Sequence, residues 1–218
     1  MSKHYLAFIA DLIDSRHIVD RAKVQERIKS ELGAINRQFA GILVSNFTLT
    51  LGDEFQALLE PLEAVSRLID EIDLRLDLPL RIGLGYGTLL TAVDPTQSIG
   101  ADGEAYWRAR EALNELKADD GQTRVKVSGF GEWQDPLLNS LLETTELIKR
   151  RWTTLQRDTV KAMLEADIYS DSFLQVEFAK TLGIRPSSLT KRLSAGNVKP
   201  YIRARRIFAR TMEVWHVD

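Results

Sequence analysis

Acidic side chains stand at the ends of two apolar segments in the first quarter of the chain. The first segment, HYLAFIAD, ends at Asp11, and Asp14 follows three residues later. The second, LTLGDEFQALL, places Gly52, Asp53 and Glu54 between two stretches of alternating apolar residues. Carboxylate oxygens are the ligands that Mg²⁺ and Mn²⁺ prefer. Gly-Asp is also a common hairpin tip, so this segment is either a turn alone or a turn that also carries a metal ligand.

A metal site at these residues requires that the two segments meet in the fold. In a βαββ core the first strand lies beside the hairpin, so we expect Asp11 and Asp53 to converge at one edge of the sheet, with the two neighbouring carboxylates in reserve. Such a site would hold Mg²⁺ or Mn²⁺ together with the phosphates of a nucleotide. The loop after the first strand leads into a helix whose N-terminal amides suit a phosphate, and we assign Ser15, Arg16 and Gly52 to nucleotide binding.

Composition narrows the class of protein. The chain has 218 residues, of which 44% are hydrophobic and 28% charged, as in ordinary soluble globular proteins. Cysteine is absent, which excludes disulfides and thiolate zinc sites and favours a cytoplasmic location. The three histidines lack ligand spacing, so a histidine-based metal site is not expected. No apolar run approaches the ~20 residues of a membrane span, and the N-terminus lacks the layout of a cleavable signal, so no membrane partner is expected.

Charge is distributed unevenly along the chain. Residues 1–140 contain 15 Lys and Arg against 22 Asp and Glu, which gives a net charge of −7. Residues 141–218 contain 14 against 9, which gives +5, and the two values add to the net −2 of the whole chain. This asymmetry indicates two parts with different partners, and the basic part is the one suited to a polyanion.

Hydrophobic periodicity predicts alternating strands and helices over the first 130 residues. The predicted order is a strand ending at Asp11, a helix over 20–39, a hairpin over 42–59, a helix over 61–76, a strand over 78–90, a helix over 103–119 and a strand over 123–130. This order predicts an α+β fold with a ferredoxin-like βαββαβ core whose helices cover one face of the sheet. In the segment RIGLGYG, three glycines at positions 83, 85 and 87 leave one strand face bare, which permits the close approach of a helix or a base.

The strand pattern ends near the Asp135-Pro136 pair. Only helices are predicted beyond it, over 141–151, 154–166, 174–182, 186–194 and 200–215. We therefore expect two domains, an α+β domain over 1–135 and an all-α domain over 136–218.

The segment QVEFAKTLGIRPSSLTKRL, residues 175–193, has the pattern of a helix-turn-helix. Ala179 suits the close crossing of two helices, and Gly183 falls at the turn, where a positive φ is needed. Ile184 and Leu189 would pin the second helix to the first, and Pro186 suits its first turn. An ordinary helical hairpin is the alternative interpretation, whereas the DNA-binding type is favoured by the charges that follow.

From Arg185 to Arg210 the chain contains eight Lys and Arg and no Asp or Glu. We expect the second helix to contact base edges and nearby phosphates of double-stranded DNA. Its predicted contacts are Arg185, Ser187, Ser188, Thr190, Lys191 and Arg192. The following helix is expected to contact backbone phosphates through Lys199, Tyr201, Arg203, Arg205 and Arg206. A homodimer is expected, because one helix-turn-helix buries little surface.

Residues 4–130 resemble the palm core of class III nucleotidyl cyclases and GGDEF diguanylate cyclases. The resemblance rests on the strand ending in Asp11, the GDEF hairpin and the segment RIGLGYG. It implies metal-binding aspartates at Asp11 and Asp53 and places the GGDEF glutamate at Glu54. The whole chain resembles the SatD family through ADLIDSR, TLGDEFQ, RIGLGYG, AYWRAREAL and the terminal helices. The resemblance to that family implies a regulator with a DNA-binding C-terminal part.

The chain also departs from the cyclase pattern at two polar positions. The segment AYWRAREAL offers Arg110, but the position of the cyclase asparagine falls on Tyr106, and the first glycine of GGDEF is Leu51. Without these groups a transferring phosphoryl lacks its usual stabilisers. Trp107 and Arg110 either line a nucleotide pocket or pack on a surface helix.

The favoured function is a DNA-binding regulator with a nucleotide- or metal-sensing domain. The alternatives are an active cyclase or nucleotidyltransferase and a palm-like dimerisation domain.

Overall fold

The structure is a computed structural model that describes residues 3–17, 20–50, 52–119 and 123–217. In the first part of the chain the elements are β1 (Tyr5–Leu12), α1 (Arg21–Gln38), β2 (Leu43–Leu49), β3 (Glu54–Leu59), α2 (Ala64–Leu76), β4 (Leu80–Gly87), α3 (Glu104–Ala118) and β5 (Val125–Ser128). A short 3-10 helix, Ser15–His17, precedes α1. Strands and helices follow one another in the predicted order, so the element assignments of this part are confirmed.

The five strands form one sheet in the order β2-β3-β1-β4-β5. β1 pairs antiparallel with both β3 and β4, β2 pairs antiparallel with β3, and β5 pairs parallel with β4. The elements from β1 to β4 therefore have the βαββαβ order predicted from the sequence, and β5 extends the sheet beside β4. The first strand is central, which explains why its residues from Leu6 onward are buried.

One face of the sheet carries the larger hydrophobic core. Leu6, Phe8 and Ala10 of β1 belong to this core, since side chains alternate between the two faces of a strand. The helices α1 and α2 cover it with their apolar stripes, which consist of Ile28, Leu32, Ile35, Val65, Leu68, Ile69, Ile72 and Leu76. The spacing of these residues is the three- and four-residue repeat that the sequence displays.

The helix α3 packs on the opposite face of the sheet, where Ala105 and Ala109 contact β4. A Cβ atom at Gly85 would lie 2.1 Å from the Ala105 carbonyl oxygen, and one at Gly83 would lie 2.2 Å from that of Ala109. The prediction that the bare strand face admits a helix is thus confirmed. The expectation that helices cover only one face was wrong, because the glycines of β4 create a second face flat enough for α3.

The rest of the described chain is helical. Its elements are α4 (Gln134–Lys149), α5 (Thr154–Glu165), α6 (Gln175–Thr181), α7 (Pro186–Ala195) and α8 (Val198–Val217). The five predicted helices are confirmed, and the first of them begins earlier than predicted. Thr153 and Gln156 form a capping box that starts α5, and Pro186 occupies the first turn of α7. None of the described helices combines the length and the apolar character that a membrane crossing requires.

Helices α4 and α8 share the core of the sheet. Leu138 and Leu142 of α4, together with Phe208 and Met212 of α8, belong to the same cluster of buried residues as β1, α1 and α2. A second cluster joins Leu74 of α2 to α5, α6, α7 and α8. The division of the chain at residues 135 and 136 stays a prediction, but these shared clusters change what it implies for the isolated parts.

Limited proteolysis should therefore release no stable basic fragment that begins near residue 137. A cut before α4 would remove Leu138 and Leu142 from the core that they share with the sheet and expose them to water. The measurement is a trypsin time course followed by mass spectrometry. A soluble fragment of residues 136–218 that accumulates and unfolds cooperatively would contradict this expectation.

Candidate functional site

Asp11 and Glu54 are cross-strand neighbours on the sheet face that α3 covers. The two residues are register partners at the ends of β1 and β3, and side chains directly opposite each other in an antiparallel pair share a face. The side chain of Asp11 is 10% exposed and that of Glu54 is 12% exposed. The structure thus brings together two of the four predicted carboxylates at a position with little solvent exposure.

Each of these carboxylates is bound by a cation of α3. Lys117 Nζ lies 2.7 Å from Asp11 Oδ2, and Arg110 Nη2 donates to Glu54 Oε1 at 2.7 Å. Arg110 Nη1 also donates to Glu54 Oε2, which completes a bidentate pair. Burial alone would raise the pKa of Glu54, but the hydrogen bond and the charge of Arg110 hold this pKa below its ordinary value.

The hairpin tip is anchored to α1 rather than to α3. Ser15 Oγ donates to Asp53 Oδ2 at 2.5 Å, and Arg21 Nη2 lies 3.7 Å from Asp53 Oδ1. Gly52 has a φ of 68°, as a turn requires, and its carbonyl oxygen accepts a hydrogen bond from Gln25 Nε2 at 2.8 Å. Because α1 and α3 lie on opposite faces of the sheet, the partners of Asp53 differ from those of Asp11.

The structure describes Asp14, Arg16 and Leu51 to different extents. Asp14 is exposed and has a φ of 53°. Arg16 belongs to the short 3-10 helix, but its side chain lies outside the described part of the structure. Leu51, which stands in place of the first GGDEF glycine, also lies outside the described residues.

Trp107 and Tyr106 face opposite directions on α3. Trp107 is 54% exposed, and its Nε1 donates to Asp102 Oδ1 at 2.7 Å. Tyr106 packs against the sheet, and burial raises the pKa of its hydroxyl to about 12. Trp107 thus lies on the outer side of α3, whereas Arg110 reaches Glu54 at the end of the sheet. The residue in place of the cyclase asparagine faces the core.

The donor set does not fit a divalent metal. Within the described ranges, no three His, Cys, Asp or Glu side chains are grouped so that they could hold an ion. Asp11 Oδ1 is the one oxygen of the Asp11–Glu54 pair that is buried without a hydrogen-bond partner among the described residues. Mg²⁺ needs several oxygens at about 2.0–2.1 Å, and the others here already bind Lys117 and Arg110. The expected Mg²⁺ or Mn²⁺ with a nucleotide stays a prediction from the sequence.

Helices α6 and α7 form a fixed pair joined by a short turn. Ala179 is fully buried at their contact, and Gly183 in the turn has a φ of 65°. The Ile184 amide donates to the Ala179 carbonyl oxygen at 3.0 Å. Leu189 and Leu193 are the buried residues of α7. The two helices and their turn are thus present, and the DNA-binding type of this helix pair, with an ordinary helical hairpin as its alternative, stays a prediction.

The outer side of α7 carries the predicted base-contacting residues. The exposed ones are Arg185, Ser187, Ser188, Thr190 and Lys191, and Arg192 is partly buried. Among the ion pairs formed by described residues, none involves Arg185, Lys191 or Arg192. This surface therefore presents hydroxyl groups and uncompensated positive charge to the solvent.

Tyr201 and Arg205 of α8 do not face the solvent, so their assignment as phosphate contacts was wrong. Tyr201 is 2% exposed and Arg205 is 3% exposed. Both contact Asp70 of α2: the Tyr201 hydroxyl donates to Oδ1 at 2.6 Å, and Arg205 Nη2 lies 3.3 Å from the same oxygen. The Tyr169 hydroxyl donates to Asp70 Oδ2 at 2.6 Å. The burial of Tyr201 and its contact with Asp70 raise the pKa of its hydroxyl.

Of the remaining predicted phosphate contacts, Arg203 and Arg206 lie nearer the surface and are compensated by carboxylates. Arg203 Nε donates to Asp171 Oδ2 at 2.7 Å, and Arg206 Nε donates to Glu63 Oε1 at 2.7 Å. Lys199 is partly buried. Exposed ion pairs contribute only about 0–1 kcal/mol, so a phosphate can displace these carboxylates at low cost.

The family of the chain follows from a comparison with protein-family models. The model that describes the SatD family matches residues 5–212. The chain belongs to the SatD family. A search of curated proteins finds no match to this SatD-family chain.

Two solved structures have distant similarity to this SatD-family chain. A bacterial light-regulated adenylyl cyclase is 16% identical, with a TM-score of 0.45, 59% of this chain covered and 77% of that one. A regulator of polyketide synthase expression from Bifidobacterium adolescentis is 16% identical, with a TM-score of 0.31, 98% of this chain covered and 82% of that one.

Sequence analysis missed Lys117 and Asp70. Lys117 stands two helical turns after Arg110, so the helical repeat places both cations on one side of α3 and could have revealed the pair. Asp70 interrupts the apolar stripe of α2 between two buried isoleucines, Ile69 and Ile72. A carboxylate at such a position indicates a buried polar partner, but the partner on α8 cannot be named from local sequence.

Proposed function

We propose that this SatD-family chain is a DNA-binding regulator that contacts duplex DNA through α6 and α7. The observation that carries the proposal is the outer side of α7, where Arg185, Lys191 and Arg192 form no ion pair with another described residue, while Arg203, Arg205 and Arg206 of α8 do. Uncompensated cations on an exposed helix attract phosphates, and neighbouring hydroxyls can hydrogen-bond to base edges.

The geometry of the helix pair supports the same function. Buried Ala179 and the positive φ of Gly183 fix the crossing of the two helices, so α7 is held as a rigid element. Its first turn exposes Ser187 and Ser188, and a recognition helix contacts bases with its N-terminal residues. A single pair of helices buries little surface against DNA, so we propose that two copies of the chain bind the duplex together.

The two basic helices have different roles in this proposal. Residues of α7 would read sequence, whereas Arg203 and Arg206 of α8 would exchange their carboxylate partners for backbone phosphates. Contacts of the second kind raise affinity for every duplex and make it dependent on salt. The Lys199 side chain would act with them.

Exchange of both Lys191 and Arg192 for alanine should weaken binding to a selected duplex at least about tenfold, because each base-reading side chain contributes roughly 1–3 kcal/mol. The duplex is first selected from a random library with the wild-type chain, and affinity is then measured by fluorescence anisotropy. The matched control replaces Lys23 and Lys29, two exposed lysines of α1, and should bind as the wild type does. Equal affinity in both double variants would contradict the proposal.

A further inference from the structure

Helix α3 supplies two cations to two carboxylates at the end of the sheet. Lys117 and Arg110 stand two turns apart on α3, and their partners Asp11 and Glu54 are directly opposite each other on β1 and β3. The four groups carry two negative and two positive charges, so the cluster is neutral without any added ion.

The four charges also act on one another beyond the two pairs. The hydrogen bond from Arg110 to Glu54 raises the pKa of the guanidinium, burial opposes this, and the charges of Glu54 and Asp11 add to the rise. The charge of Lys117 contributes to the lowered pKa of Glu54. Each cation thus stabilises both carboxylates, which is the electrostatic effect that a divalent ion placed between them would have.

We propose that Lys117 and Arg110 are built-in counter-ions that occupy the place of a divalent metal, so that Asp11 and Glu54 are paired without one. Two adjacent carboxylates repel each other and recruit a cation only where their charge is not already balanced. Here α3 balances it, and its close packing on the glycines of β4 fixes both cations in place. The palm-like part of this chain then holds its carboxylates as structural ion pairs.

The wild-type chain should not respond to divalent metal ions. The thermal midpoint of the wild type should be the same in EDTA, in millimolar Mg²⁺ and in millimolar Mn²⁺, and calorimetry with Mn²⁺ should show no stoichiometric binding. Stoichiometric Mn²⁺ binding by the wild type that disappears in Asp11→Asn would overturn the proposal.

Removal of the two cations should expose a metal site that the wild type lacks. The double variant Lys117→Met, Arg110→Met leaves both carboxylates unbalanced, so its midpoint in EDTA should fall by several degrees. Mn²⁺ should then raise this midpoint and bind with measurable heat. Addition of Asp11→Asn to the double variant should abolish the Mn²⁺ response.

A matched control separates this effect from the loss of any ion pair of α3. Lys126→Met removes a surface pair with Glu115, whose side chain is 51% exposed, and its midpoint should not respond to Mn²⁺. A folded double variant whose midpoint ignores Mn²⁺ would overturn the proposal. If the double variant does not fold, the wild-type titration and the single variant Lys117→Met, measured in the same way, decide between the two outcomes.

Discussion

Gly85→Ala should lower the thermal unfolding midpoint by about 6–12 °C, which corresponds to roughly 3 kcal/mol for a chain of this length. The added Cβ would lie 2.1 Å from the Ala105 carbonyl oxygen and 2.2 Å from the Ala109 amide nitrogen. Both contacts are with helix backbone, which cannot rotate away as a side chain can. The helix α3 would have to move off the sheet, which would disturb the ion pairs of Arg110 and Lys117 as well.

Gly41→Ala is the matched control for this change. A Cβ atom at Gly41 would meet no heavy atom within 4 Å, so the midpoint of this variant should stay close to that of the wild type. Both midpoints are measured by circular dichroism or calorimetry under the same conditions. Equal midpoints in the two variants would show that α3 is not held against β4 as the structure describes.

Arg205→Met is expected to cost about 3–5 kcal/mol, because it leaves the buried Asp70 carboxylate without its cation. Asp70 is 1% exposed, and among the described residues it would keep the hydrogen bonds from the hydroxyl groups of Tyr169 and Tyr201 and the charge of Lys149. Burial disfavours the charged guanidinium of Arg205, but the electrostatic interactions with Asp70, Tyr201, Tyr169 and Glu146 together outweigh burial and raise its pKa. The expected fall of the thermal midpoint is roughly 6–20 °C.

Arg203→Met is the matched control on the same helix. Its partner is Asp171, and the Arg203 side chain is 62% exposed, so its removal should cost no more than about 1 kcal/mol. DNA affinity should respond to the two substitutions in the opposite order to stability: loss of Arg203 should weaken it, whereas loss of Arg205 should not. Below its midpoint, Arg205→Met should bind DNA as the wild type does. A strong loss of DNA affinity in a folded Arg205→Met variant would show that Arg205 does contact a DNA phosphate.

Local pattern was sufficient for the elements and for one close contact between them. The spacing of apolar residues in α1 and α2 predicted both helices, and the glycines at positions 83, 85 and 87 predicted that something would pack closely on β4. These features depend on neighbours a few residues apart. The face of the sheet that α3 covers depends on the whole chain, and it was predicted wrongly.

Register decided which carboxylates meet. The hairpin tip was predicted at Gly52, but Asp11 stands opposite Glu54 rather than Asp53. A shift of one residue along a strand moves a side chain to the other face, so the choice between Asp53 and Glu54 could not be made without the register. Similarly, the basic run of α8 was interpreted as a surface because the buried partner of Arg205, Asp70, lies far away in the sequence.

The most direct test of the proposed function is the ratio of two dissociation constants, one for the selected duplex and one for a scrambled duplex of equal length. The ratio is measured at one salt concentration for the wild type, for Lys191→Ala with Arg192→Ala, and for Arg203→Ala with Arg206→Ala. The proposal predicts that the α7 variant loses the preference, whereas the α8 variant keeps it and binds both duplexes more weakly. An α7 variant that retains the wild-type ratio would contradict sequence recognition by α7.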